Sequence, residues 1–140
     1  MNIIIADDEP LALEMTCEAV REVCPEANIY PFSKPSRLLE FAKGTRCKIA
    51  FLDICMRGVS GIDVAKQLKE IIPDINIIFV TGYDEFSYCQ EALRLRVSDF
   101  LLKPIDFDVF GEVIQGIVQK IMENPNRQPV LSETLKKIVG

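Results

Sequence analysis

The residues of this chain that could do chemistry stand where apolar runs stop. Asp7-Asp8-Glu9 follows residues 3–6, Asp53 closes the run 49–52, Thr81 closes 75–80 and Lys103 closes 97–102. Acid groups gathered in one small pocket repel: at ~5 Å and an effective dielectric of ~20, each pair costs about 3 kcal/mol. Lys103 offsets part of that cost, and a hard divalent cation offsets more. Mg²⁺ suits one or two carboxylates with a backbone carbonyl and waters, so the candidate ligands are Asp7, Asp8, Asp53 and the carbonyl of Cys55. Such a cation also neutralises an incoming phosphoryl group, whose transfer depends mainly on positioning and charge stabilisation. A carboxylate can itself be the nucleophile and become an aspartyl-phosphate. Asp53 is the candidate, because it stands alone at the end of its run while Asp7 and Asp8 form a metal-binding pair. Thr81 can donate its hydroxyl to one phosphoryl oxygen, and Lys103 can pair with another.

These side chains meet only if the runs are strands of one parallel sheet. Residues 49–53 are apolar up to the terminal carboxylate, which reads as a strand buried on both faces. The pattern predicts further strands over 3–6, 28–32, 75–80 and 97–102. Helices are expected between and after them. The first has Asp8 or Glu9 near its N-cap and Pro10 at its first position, and Pro25 stops it. Its apolar positions allow two inward stripes, Leu13-Cys17-Val20-Cys24 or Ala12-Met15-Ala19-Val23. The second opens at 33–36, carries Leu38, Leu39, Phe41 and Ala42, and ends at Gly44. The third follows Gly61 and closes before Pro73, the fourth is capped by Asp84, and the last starts at Asp106 with Phe110, Val113, Ile114, Ile117, Val118 and Ile121 on one face. Five strands alternating with five helices make a doubly wound α/β fold with a five-stranded parallel sheet. The expected strand order is 2-1-3-4-5, which puts strands one and three at the reversal point and all four chemically active ends on one rim. After Met122 the texture changes: 124–129 reads as a linker and 130–139 as one short helix. The expected division is therefore a domain over 1–122 and a linker or tail over 123–140, the latter the possible start of a longer region.

Bulk composition narrows the field. With 140 residues, 49% apolar and 26% charged, one soluble domain with one core is expected. The net charge of −5 argues against this domain holding a DNA backbone itself. Histidine is absent, which removes imidazole bases, phosphohistidine and Ser-His or Cys-His pairs. The cysteines at 17, 24, 47, 55 and 89 form no CxxC pair and read as reduced, mostly core thiols of a cytoplasmic protein. No run approaches the ~20 apolar residues that span a bilayer, and no signal peptide is visible, so no membrane association is expected.

Four motifs together resemble the receiver domain of two-component response regulators: Asp7-Asp8-Glu9-Pro10, Phe51-Leu52-Asp53-Ile54-Cys55-Met56 with Gly61 following, Val80-Thr81-Gly82, and Leu102-Lys103-Pro104. The resemblance covers residues 1 to about 122 and implies a flavodoxin-like (βα)5 fold. It also implies a phosphorelay switch, in which the phosphohistidine of a sensor histidine kinase donates to Asp53 with Mg²⁺. The new charge would draw Thr81 and Lys103 inward, with Phe100 the aromatic that follows Thr81. The face built by the fourth helix, fifth strand and fifth helix (about residues 84–122) would then repack, changing homodimerisation or output contacts. A domain of this kind catalyses its own phosphorylation and is not a turnover enzyme. The segments Thr81-Gly82-Tyr83-Asp84-Glu85-Phe86 and Phe100-Leu101-Leu102-Lys103-Pro104-Ile105-Asp106 resemble receivers attached to LytTR-type or AraC-type DNA-binding domains. That likeness implies transcription regulation, with DNA touched only by an output domain absent from this chain. Where Arg57 stands the family usually has proline; Arg57 frees the loop's φ and adds a cation near the phosphorylation site. Cys55 and Tyr83 flank that site at positions that could screen a phosphoryl group from water.

Each feature alone has a plainer explanation: acids capping a helix, Asp53 and Thr81-Gly82 as turn residues, Lys103 on the surface, Phe100 in the core. Their joint order favours the receiver. Two other functions remain open at this point. A phosphohydrolase of the haloacid dehalogenase type would use Asp53 as nucleophile, but wants a second Asp where Cys55 stands and a cap domain. A flavodoxin-like cofactor binder or degenerate receiver would want a phosphate-cradling loop after strand one, where this chain has acids.

Overall fold

The computed structural model describes residues 1–82, 94–95, 97–103 and 105–123. The chain runs β1 (Asn2–Ala6), α1 (Pro10–Val23), β2 (Asn28–Phe32), α2 (Pro35–Gly44), β3 (Ile49–Asp53), the two-residue strands β4 (Cys55–Met56) and β5 (Val59–Ser60), α3 (Gly61–Ile71), β6 (Asn76–Thr81), β7 (Asp99–Leu102) and a last described helix, Phe107–Glu123. The main sheet is parallel throughout, in the order β2-β1-β3-β6-β7. This is the expected doubly wound order. The helix expected from Asp84, the flanking residue Tyr83 and the tail 124–140 lie outside the described residues.

Strand parity explains the two-layer core. Ile3, Ile5, Ile49, Phe51, Ile78, Val80 and Leu101 point to the side covered by α1 and the last helix. Ile4, Ala50, Leu52, Ile77 and Phe79 point to the side covered by α2 and α3. All five residues of β3 and all six of β6 are buried, which is why their sequences show no polar alternation. The stacked rings of Phe51 and Phe110, 5.4 Å apart, join the central strand to the last helix. Phe110, Ile114, Ile117 and Ile121 form that helix's buried stripe, and Asp106 opens it by accepting the Asp108 amide at 3.0 Å.

Several elements depart from the sequence pattern, each for a local reason. In α1 neither apolar stripe wins alone: Cys17 and Val20 from one and Ala19 from the other are buried, along with Thr16. The Thr16 hydroxyl donates back to the Ala12 carbonyl at 3.1 Å, which satisfies it inside the core. Glu9 occupies the N-cap of α1 without a side-chain bond; its amide instead donates to Asp7 at 3.0 Å. Helix α3 is capped by Ser60, whose hydroxyl accepts the Ile62 amide at 3.1 Å. The fifth strand of the sheet begins at Asp99 rather than at 97. Val97 and Ser98 are buried ahead of it, with the Ser98 hydroxyl donating 3.0 Å to Asn76.

The β2 edge of the sheet contains Pro31. The Asn28 amide donates inward to Met1, and the Phe32 carbonyl accepts inward from the Asp7 amide. Backbone polarity alternates along a strand, so position 31 faces outward, where proline offers no donor.

Candidate functional site

The rim at the carboxyl ends of the strands brings distant residues together. Asp7 extends β1 and Asp53 ends its neighbour β3, both with the parity of the α1 side. One carboxylate oxygen each from Asp7, Asp8 and Asp53 lie within 4.8 Å of one another. Lys103, just past β7, reaches across: its Nζ is 2.8 Å from Asp7 Oδ2 and 3.4 Å from Asp53 Oδ2. Asp7 and Asp53 are buried, Asp8 and Lys103 half-buried.

Backbone amides fix each acid separately. The Glu9 amide donates to Asp7 Oδ1 at 3.0 Å and the Cys55 amide to Asp53 Oδ1 at 3.2 Å. The Arg57 amide donates to Asp8 Oδ2 at 2.7 Å. Cys55 and Arg57 belong to the β4–β5 hairpin, where Gly58 has φ +79° and supplies the turn. The hairpin is anchored by Met56, which is buried, and by the Gly61 amide, which donates 2.8 Å to the Ile54 carbonyl. A Cβ on Gly61 would run into the Asp53 carbonyl and lie 2.7 Å from the Ile54 Cα. Only glycine lets α3 begin this close to the end of β3.

Burial, and then the Asp7 charge, push the Asp53 pKa up to about 6, against the pull of Lys103 and the Cys55 amide. Burial pulls Lys103 down, but Asp7 and Asp53 more than offset it, so its pKa lies above the usual lysine value. The pocket therefore carries more negative charge than its lysine balances. A cluster of carboxylate oxygens with excess negative charge fits a small, hard, oxygen-seeking cation such as Mg²⁺.

The other expected site residues fall as follows. Thr81 ends β6 and is buried, and its hydroxyl donates to the Gly82 carbonyl at 3.3 Å; the Lys103 amide donates to the Thr81 carbonyl at 2.8 Å. Thr81 has the parity of the α2 side, opposite to Asp53. Cys55 is exposed beside Asp53. Phe100 is half-buried on β7 with its ring 5.8 Å from that of Phe79, some way along the strand from the acids. Sequence reasoning did not find the amides of Cys55 and Arg57, because a backbone donor leaves no mark on residue type. The one available signal was Gly58, three residues before α3 begins.

Known proteins resemble this chain in sequence and fold. The REC domain of AraT, a response regulator from Geobacillus stearothermophilus, is 35% identical and superposes with a TM-score of 0.79 over 89% of this chain and 98% of that one. Sensory transduction protein LytT of Oceanobacillus iheyensis is 32% identical over 136 residues, 92% of this chain and 52% of that protein. The cyclic di-GMP phosphodiesterase response regulator RpfG of Xanthomonas campestris is 34% identical over 107 residues, 75% of this chain and 28% of that protein. The chain thus spans about half the length of LytT and just over a quarter of RpfG. A profile of the response regulator receiver domain matches residues 3–115. This chain belongs to the response regulator receiver domain family, and its signalling role is that of a two-component receiver.

Proposed function

We propose that this receiver accepts a phosphoryl group on Asp53 from the phosphohistidine of a sensor histidine kinase. The observation that carries the reading is the placement of a buried Asp53 carboxylate 3.4 Å from the Lys103 ammonium, within 4.8 Å of the Asp7 and Asp8 oxygens. An Asp53 oxygen attacks phosphorus, the P–N bond to the imidazole breaks, and the imidazole leaves with the bonding pair. Asp7, Asp8 and Asp53 would hold Mg²⁺, with the Cys55 carbonyl as a further ligand; bound there, the ion supplies neutralisation of the phosphoryl oxygens. The Cys55 amide orients Asp53 by donating to its Oδ1 at 3.2 Å. Lys103 moves from the acids to one phosphoryl oxygen, and the Thr81 hydroxyl exchanges the Gly82 carbonyl for another.

Thr81 is the switch residue in this reading, and Phe100 follows it. The region of residues 84–122 repacks in response and alters homodimerisation or contacts with an output domain, through which transcription is controlled. The likeness to LytT supports an output of the LytTR kind, the AraC kind being the alternative. The domain acts as a switch and not as a turnover enzyme.

Intact-mass analysis after incubation with a small acyl-phosphate donor tests this. A gain of one phosphoryl group is expected with Mg²⁺, and none with chelator or in Asp53→Asn. A gain that persists in the variant sinks the assignment of Asp53.

A further inference from the structure

The geometry points to Arg57 as a positioning residue for the cation site, acting through its backbone amide rather than through its side chain. The inference rests on the reading of Asp7, Asp8 and Asp53 as cation ligands. Asp7 is held by Lys103 and the Glu9 amide, and Asp53 by Lys103 and the Cys55 amide. Asp8 is half-buried and lies beyond the end of β1, so nothing in the sheet ladder fixes its rotamer. The Arg57 amide does so from 49 residues away, at 2.7 Å, the short end of the range for a charge-assisted N–H···O bond.

Three features make that amide a fixed support. It sits at the tip of a hairpin whose pairing, Met56 with Val59, is closed by Gly58. The buried Met56 side chain pins the hairpin to the core. The Gly61–Ile54 and Cys55–Asp53 bonds tie its base to the end of β3. An amide is neutral, so it holds the Asp8 carboxylate without cancelling its charge, while one Asp8 oxygen lies within 4.8 Å of the Asp7 and Asp53 oxygens. A ligand already held in its bound rotamer loses less conformational freedom when the cation arrives. The exposed guanidinium has the opposite sign of effect, since a cation near the site repels Mg²⁺.

Two variants separate amide from side chain. Arg57→Ala loses only the guanidinium; Arg57→Pro loses both. Mg²⁺ titrations by calorimetry should give Arg57→Ala an affinity equal to or tighter than wild type. Arg57→Pro should bind roughly three- to ten-fold more weakly than Arg57→Ala, the cost of ordering one carboxylate side chain on binding. A difference below three-fold between the variants overturns the inference. Wild type that shows no saturable Mg²⁺ binding overturns the cation site itself, a separate failure. Amide exchange in the wild type provides a check independent of proline's effect on the turn. The Arg57 N–H should be protected, and Asp8→Ala should expose it; an unprotected Arg57 amide in the wild type overturns the inference.

Discussion

Lys103 and Asp7 are 96 residues apart in the chain and 2.8 Å apart in space. Their ion pair ties the two most distant strand ends of the site together, and Asp53 is 3.4 Å from the same ammonium. One cation thus holds two buried acids. Truncating it to Lys103→Ala leaves both carboxylates uncompensated and should destabilise the metal-free protein by about 1–3 kcal/mol. Urea unfolding in chelator measures the loss, and millimolar Mg²⁺ should restore part of it. An unchanged midpoint in chelator contradicts the pairing.

Asp53 should make the metal-free fold weaken as pH rises. Its folded-state pKa is pushed from 3.8 to about 6, so the folded state binds the proton more tightly than the unfolded chain. The cost is absent below pH 3.8, grows as the acid ionises and is complete above pH 6, reaching up to about 3 kcal/mol. Asp53→Asn should therefore be more stable than wild type at pH 7.5 and lose that advantage towards pH 4. Paired denaturation curves at the two pH values check the sign.

Gly61→Ala should cost more than Gly58→Ala. The first drives a Cβ into the Asp53 carbonyl and the Ile54 Cα, backbone that cannot swing aside, and should lose roughly 3 kcal/mol or more. The second meets nothing within 4 Å and is opposed only by φ +79°, at roughly 1 kcal/mol. Equal thermal shifts for the two variants would show that α3 starts further from β3 than described.

Thiol chemistry should single out Cys55 among the described cysteines. Cys17 and Cys47 are buried, and burial pushes the Cys47 thiol up to about 11, which keeps it protonated and unreactive at neutral pH. Cys24 is half-buried with its thiol pushed up by burial, so in a Cys89→Ser background brief maleimide treatment should label Cys55 first and Cys24 more slowly, with Cys17 and Cys47 reacting only after unfolding. Peptide mapping by mass spectrometry reads this directly.

Much of this fold was legible from residue types, and the reasons are specific. β3 and β6 are buried on both faces, so their apolar runs could be read without ambiguity. The last helix keeps a clean stripe because one of its faces meets the sheet squarely. α1 resisted because its inner face takes Thr16 and draws from both stripes. Val97 is apolar and buried yet precedes the ladder, which made the strand look longer than it is. At the site, side chains at strand ends could be placed by topology alone: Asp7, Asp53 and Lys103 follow from strand order and parity. The hairpin carrying Cys55 and Arg57 could not, because what it contributes to the acids is main-chain N–H, common to nearly every residue.

Pro31 has a bearing on how this protein can meet others. A strand added alongside β2 would find a gap in its row of hydrogen-bond donors, at the one position where the outward N–H is missing. That flank of the molecule is protected against zippering into fibres or onto an extended peptide. Partners that approach the strand-end rim, the helices or the β7 flank meet no such gap.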